Sequence, residues 1–150
     1  MQAAETTLRN TFKKQLGLPI HATNFLCDMF QVIQFFDDVA DGDKMQRSDL
    51  DRALWTVLVG NARNQFYIEN IEALTALIST QILKWQASDV VERSGDVSET
   101  SFVWRAGYYD LVLFVVEKVH GWQEAQKASE FVMKLYGETF ADYKEEFKNA

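Results

Sequence analysis

Cysteine, proline and histidine are scarce in this sequence, and each scarcity removes a class of protein. Cys27 is the only cysteine among 150 residues, so an internal disulfide is excluded, and we expect a small buried side chain that needs no oxidising compartment. Pro19 is the only proline, and no alternating strand pattern competes with the helical ones. Both histidines lie near predicted helix ends, which argues against zinc and against an iron site of the carboxylate–histidine type.

Long uncharged runs and basic clusters are also missing. No uncharged stretch reaches the ~18 residues that a membrane span needs, and the first ten residues, MQAAETTLRN, lack the apolar core of a signal peptide. The 22 acidic residues outnumber the 15 basic ones, and a net charge of −7 favours repulsion from nucleic-acid phosphates. We therefore expect a soluble cytoplasmic protein that binds neither membranes nor nucleic acids.

What the chain does contain is a series of helix-length apolar patterns. A composition of 47% hydrophobic residues with 11 phenylalanines is typical of a globular protein with a packed core. Apolar residues recur every three to four positions between breaks that contain glycine. The predicted helices cover residues 3–16, 21–41, 48–60, 64–93, 99–120 and 122–147, the last one broken or bent at Gly137. These patterns predict an all-α fold with one domain, residues 1–150, built as a compact bundle of about six helices.

An acidic cluster at the end of the second predicted helix is the sharpest local signal. The segment FFDDVADGD places Asp37 and Asp41 one turn apart on the same helix face. A helical wheel puts Asp37 at the edge of an apolar stripe, Asp41 just beside it and Asp38 further round. That stripe consists of Leu26, Met29, Phe30, Ile33, Phe36 and Ala40. A carboxylate at such an edge loses part of its hydration and needs a donor, a cation or a proton.

Two later helices also carry acids at positions that face the predicted core. On the fourth, Asp89 and Glu92 continue an apolar stripe at the C-terminal end, where the helix dipole disfavours negative charge. That stripe consists of Tyr67, Ile71, Leu74, Ile78, Ile82 and Trp85. On the fifth, Asp110 lies on a helix that is apolar on both sides, which predicts a buried carboxylate.

Inward carboxylates on several helices support two interpretations. Helical bundles build divalent-metal sites in this way, and a hard cation such as Mg²⁺ or Mn²⁺ takes oxygen ligands and often a substrate phosphate. The protein would then bind a divalent metal and a phosphorylated small molecule. The metal ligands would be Asp37, Asp38, Asp41, Asp89, Glu92 and Asp110.

In the alternative interpretation, the same acids form structural salt bridges and helix caps. The chain would then be a non-enzymatic accessory protein that binds a protein partner through exposed aromatic residues such as Trp55, Trp122 or Tyr143. An enzyme needs a pocket where the acids converge, whereas an interaction protein needs an apolar surface patch. The sequence leaves open which of the two holds, whether the protein is an enzyme, and its oligomeric state.

Two local resemblances favour chemistry on diphosphates. The segment FFDDVADGD resembles the DDxxD motif of class I isoprenoid synthases, which implies Asp37, Asp38 and Asp41 as ligands of the Mg²⁺ ions that hold a diphosphate. Residues 85–93 resemble the second metal motif of that family. The segments ENIE (69–72) and DVVE (89–92) resemble the paired carboxylates of all-α nucleotide pyrophosphohydrolases, and YYDLVLFVV around Asp110 resembles their late aspartate helix. In this chain, however, both pairs fall on one predicted helix.

A wider resemblance extends over most of the chain. Five segments together resemble small uncharacterised helical proteins of phages and prophages; they are residues 35–43, 64–67, 85–93, 105–111 and 136–143. This resemblance implies a viral origin and hence the cytoplasm of a host cell. It implies no particular chemistry.

The metal interpretation makes a prediction about thermal stability. A ligand that binds only the native state stabilises it by mass action. If the six acids form a site, millimolar Mg²⁺ or Mn²⁺ should raise the melting temperature above its value in EDTA. The measurement is a thermal melt followed by circular dichroism, and identical curves in metal and in EDTA would count against the site.

Overall fold

The described part of the chain is helical throughout. The computed structural model describes the backbone of residues 2–148 and the side chains of residues 3–148. That part has no β-strand, which confirms the predicted all-α class, but it contains nine α-helices rather than about six. None of these helices combines the length and the apolar character needed to cross a membrane.

The chain divides into two compact units, Met1–Glu72 and Ala73–Ala150. The single domain expected from the sequence stays a prediction. In the first unit, α1 (Gln2–Asn10) continues into a π-helical turn (Thr11–Gln15), and α2 (Ile20–Asp41) ends, as predicted, at Gly42. Gly42 has φ = 73°, a left-handed conformation that residues with a Cβ rarely adopt.

The remaining helices of the first unit follow the 43–46 connection. Helix α3 (Arg47–Trp55) continues into a π-helical turn (Thr56–Gly60) and a 3₁₀ turn (Asn61–Arg63), and α4 covers Gln65–Glu69. Helix α2 forms the centre of this unit because both α1 and α3 pack against it. Its buried residues are Ala22, Thr23, Phe25, Leu26, Cys27, Met29, Gln31, Val32 and Phe35.

The second unit contains five helices. Helix α5 (Ile71–Arg93) begins two residues before the boundary between the units, α6 covers Glu99–Trp104, and α7 covers Gly107–His120. Helices α8 (Trp122–Met133) and α9 (Phe140–Lys148) follow. Helices α7 and α8 pack closely against each other, and α7 supplies much of the core. Its buried residues are Tyr108, Leu111, Val112, Val115 and Val116.

Three interruptions explain why nine helices replace about six. The predicted helix 64–93 breaks at Asn70, which leaves the helical region (φ −121°, ψ 20°) and donates a side-chain hydrogen bond to the Phe66 carbonyl at 2.9 Å. The predicted helix 99–120 breaks at Arg105 and Ala106, and the predicted helix 122–147 breaks over residues 134–139. An asparagine that bonds its own backbone competes with the helix, and no proline marks these positions.

An ion-pair network joins α1, α2 and α3. The Arg52 guanidinium donates two hydrogen bonds to the Glu5 carboxylate, at 2.9 and 2.8 Å, and a longer one to Asp28 at 3.4 Å. Gln31 also donates to Glu5, at 3.3 Å. The paired guanidinium–carboxylate geometry is the strong form of this interaction, so Glu5 and Arg52 fix α1 and α3 against each other.

The pKa values of the two carboxylates in this network shift in opposite directions. The hydrogen bonds from Arg52 lower the pKa of Glu5 despite its partial burial. Burial raises the pKa of Asp28, and the longer contact with Arg52 offsets that only in part. Glu5 therefore stabilises the fold above its unfolded pKa of about 4.3, and this contribution is lost as the pH falls through its lower folded value. Charged Asp28 costs stability at neutral pH, and acid relieves that cost.

Substituting the two carboxylates should separate these effects. We expect Glu5→Gln to lower the free energy of unfolding at neutral pH by about 1–2 kcal/mol, because it removes a charge-assisted pair. The difference from the wild type should shrink as the pH falls below about 4.3 and disappear once the pH is below the lowered pKa of Glu5 in the folded state. Asp28→Asn is the matched control and should change stability by less than about 0.5 kcal/mol. Urea denaturation at both pH values measures this, and equal losses for the two variants would contradict the assignment.

Candidate functional site

The acids of α2 lie beyond the buried part of that helix. The predicted stripe is correct in the first half of α2, but it is wrong by one position in the second half, where Val32 and Phe35 are buried whereas Phe36 is exposed. Phe35 is the last buried residue of α2. Asp37 and Asp38 are therefore half-exposed and Asp41 is exposed.

Asp38 lies among other carboxylates at this end of α2. Partial burial raises its pKa, and repulsion from Asp43, Asp37 and Asp49 adds to the effect. Crowded acids of this kind attract cations in general. In the described part of the chain, however, no three His, Cys, Asp or Glu residues form a group that could hold a metal ion.

Glu92 faces the interior of the second unit, as predicted, although two members of the predicted α5 stripe, Ile71 and Ile82, are exposed. Its side chain is only 12% exposed. The Tyr143 hydroxyl donates to its Oε1 at 2.9 Å, the Ser88 hydroxyl donates at 3.0 Å, and an Arg105 nitrogen lies at 3.6 Å. These partners satisfy a buried carboxylate without a metal ion.

The other two acids of this unit form ion pairs. Asp89 binds Arg93 one turn later on α5, at 2.9 Å, and Asp110 lies 3.6 Å from Lys84. The Asp110 side chain is 40% exposed, so the prediction of a buried carboxylate is wrong. The apolar residues around it in sequence turn to other sides of α7, which buries Leu111 and Val112 instead.

A cavity of about 450 Å³ opens beside Glu92, between the end of α5 and α9. Arg93, Lys144 and Lys148 line it together with Val97 and Phe147. Of the six predicted ligands only Glu92 reaches this cavity, and three cationic side chains surround it. This electrostatic environment disfavours a divalent cation.

Helix α3 and its π-helical continuation bury small side chains and expose large apolar ones. The residues turned inward are small, Ala53 and Thr56, and both are buried. The residues turned outward are large and apolar; they are Leu50, Leu54, Trp55, Val57 and Leu58, all exposed. We call these five residues the outer row. An amphipathic helix in a monomer normally presents the reverse arrangement.

The π-helical turn improves the alignment of this row. The Asn61 amide donates to the Thr56 carbonyl, five residues earlier, which is the hydrogen bond that defines a π turn. A π turn rotates less per residue than an α-helix, so Leu58 stays close to the line through Leu50 and Leu54. Single π turns within α-helices occur frequently at functional sites.

The aromatic residues suggested as contact residues divide into two groups. Trp55 is 59% exposed and Trp122 is 65% exposed, whereas Tyr143 is fully buried, so that suggestion is wrong for Tyr143. Arg63 lies over the Trp55 ring, 5.7 Å from its centre. A cation over an exposed indole holds the ring in place at modest energy.

Sequence reasoning missed two sets of residues. Ser88 lies one turn before Glu92 on α5, but the other two partners, Arg105 just after α6 and Tyr143 on α9, are distant in sequence, and local spacing does not connect them to Glu92. The outer row was visible as helical spacing after Asp49, but its spacing alone indicates a core face as readily as a surface.

The comparisons with known proteins returned no relative. No model of a known protein family, no curated protein and no solved structure matches this chain. The resemblances to phage proteins, isoprenoid synthases and pyrophosphohydrolases therefore stay predictions. The geometry of the described residues carries the functional argument.

A pair of substitutions tests the structural role of the acids. Glu92→Gln should lower the free energy of unfolding in EDTA by about 1–3 kcal/mol, because it removes the buried carboxylate that accepts from Tyr143 and Ser88 and leaves Arg105 with only the half-exposed Glu146 at 3.6 Å. Asp110→Asn removes an exposed pair and should cost less than about 1 kcal/mol. Urea denaturation in EDTA measures both values. A stabilised Glu92→Gln variant would instead indicate a carboxylate strained by its surroundings, as in an empty metal site.

Proposed function

We propose that this chain is a protein-interaction module, and that the outer row of α3 is its contact surface. The partner is an apolar helical segment of another polypeptide chain, which packs lengthwise against the row. The observation that carries the proposal is the inverted polarity of α3, with Ala53 and Thr56 inside and five large apolar side chains outside. Of the two functions that the sequence left open, this is the accessory or interaction protein.

Exposing these apolar side chains to water is unfavourable in free energy, and burying them in an interface would remove that penalty. Leu58 is 71% exposed and Trp55 is 59% exposed, and each buried leucine or comparable side chain is worth about 1.5–3 kcal/mol. Contiguous apolar patches on soluble proteins mark interaction sites. The outer row places five such side chains on one continuous helical segment, which distinguishes it from scattered exposed residues.

The shape of the surface supports a helical partner. Leu50, Leu54 and Leu58 follow a spacing of four residues, so they form a ridge one helix wide. Ridges of this spacing pack into the grooves of a second helix. Trp55 beside the ridge is of the residue type most enriched at the energetic centres of interfaces.

In this proposal the acids have structural roles. Glu92 joins α5 to α9 through Tyr143, and Asp89 and Asp110 neutralise nearby cations. The metal interpretation stays a prediction that the melting experiment tests independently.

The test uses a dye that fluoresces on exposed apolar surface. A variant that combines Leu54→Ser with Leu58→Ser should bind bis-ANS more weakly than the wild type, because it removes the centre of the row. Its free energy of unfolding should stay within about 0.5 kcal/mol per site, as for surface substitutions. Trp122→Ser is the control, since Trp122 is equally exposed on α8 of the other unit.

Two results would contradict the proposal. Unchanged dye binding in the double variant would show that the row is not an accessible patch. A loss of several kcal/mol of stability, the size expected for core leucines, would show that these side chains hold the fold together.

A further inference from the structure

We infer that the helical partner is the same helix of a second copy of this chain, packed antiparallel with Leu54 on the two-fold axis. This inference rests on the proposed function of the outer row and names its occupant. A two-fold interface requires a surface that is complementary to itself, so that each contact occurs twice. The outer row meets that requirement in three respects.

The first respect is the spacing of the leucines. Leu50 and Leu58 each lie four residues from Leu54. Reversing the direction of the helix exchanges Leu50 with Leu58 and leaves Leu54 in place. An antiparallel pair therefore brings Leu54 against its own copy and Leu50 against Leu58 of the other copy. The identical side chains give every position of the ridge an apolar partner.

The second respect is charge. The N-terminal end of α3 and the connection before it, residues 43–51, carry one net negative charge, and because Arg47 pairs with Asp51 at 3.1 Å the excess comes from Asp43 and Asp49 against Lys44. Between Trp55 and Ile68 the only charged residue is the exposed Arg63. An antiparallel pair places Arg63 of each copy near the acidic end of the other, whereas a parallel pair places like charges together. Antiparallel helix dipoles also attract each other.

The third respect is area, which sets the strength of the pair. A large aromatic side chain buries about 150–250 Å². Scaled by their exposed fractions, the five side chains of the row expose roughly 400–500 Å² per copy. A pair hides on the order of 1,000 Å², which is the lower limit for a specific interface. The dimer is therefore weak, and its population depends on protein concentration.

Single cysteines on the row measure the arrangement directly. Cys27 is fully buried and burial raises the pKa of its thiol to about 11, so it does not compete under mild oxidation. Leu54→Cys should form a disulfide-linked dimer. Leu50→Cys and Leu58→Cys should each stay monomeric alone but cross-link when mixed, because the two copies of either position lie about 12 Å apart along the helix axis, beyond disulfide reach.

Sedimentation velocity over a wide range of concentrations provides the second measurement. The wild type should shift towards a dimer as concentration rises, and Leu54→Glu should weaken dimerisation by more than about tenfold. Circular dichroism and urea denaturation confirm that each variant is folded. A wild type that stays monomeric, with no cross-link at Leu54→Cys, would overturn the second-copy inference. Cross-links of Leu50→Cys with itself would overturn the antiparallel arrangement.

These failures are distinguishable from failure of the proposed function. A monomer whose bis-ANS binding still falls in the double serine variant has an accessible row for a different protein, so only the second-copy inference is lost. A monomer whose dye binding does not depend on the row loses both.

Discussion

The rotation of α3 about its own axis depends on the pair between Arg52 and Glu5. Two hydrogen bonds of 2.9 and 2.8 Å tie the guanidinium to α1, and a guanidinium fork tolerates little rotation while both bonds persist. Residues next to Arg52 and one turn beyond it, Ala53 and Thr56, must then face α2. The outer row necessarily lies on the opposite side. A polar contact at one edge of the helix thus determines which apolar residues remain in solvent.

In the second unit an arginine likewise pairs with a carboxylate, that of Glu92. There Arg105 lies over the Tyr143 ring, 5.1 Å from its centre, and Tyr143 donates to the carboxylate. A carboxylate, an arginine and neutral donors together satisfy charges that would be costly alone in a partly dry interior. In both units, therefore, a carboxylate that pairs with an arginine, Glu5 in the first and Glu92 in the second, holds helices together. A surplus of acids in composition does not by itself indicate a cation site.

The sequence predicted the features that depend on neighbouring residues better than those that depend on residues distant in the chain. The all-α class and the helix ends at Gly42 and His120 followed from glycine and apolar spacing, which are local signals. The breaks at Asn70 and Ala106 did not, because their causes are a side-chain hydrogen bond and packing rather than a glycine–proline signal. The core-facing position of Glu92 was predicted from the α5 stripe, but two of its partners lie after α6 and on α9, and periodicity cannot bring distant segments together. The α2 stripe was wrong by one position in its second half, and that error moved three aspartates towards a core they do not reach.

The outer row shows why sequence patterns predict an interaction surface less well than a core. Periodicity reports that one face of a helix is apolar, and it is silent on whether that face meets its own chain or another one. On α3 the two possibilities differ only in rotation, and the ion pair with Glu5, distant in sequence, decides between them. Consistency between local pattern and global fold is the rule in stable domains, and departures from it occur where function requires them. Helix α3 and its π-helical continuation bury alanine and threonine and expose three leucines and a tryptophan, so they depart from that rule over their whole length. In an interface with a second helix, the apolar residues of this segment would be buried, as their helical spacing predicts.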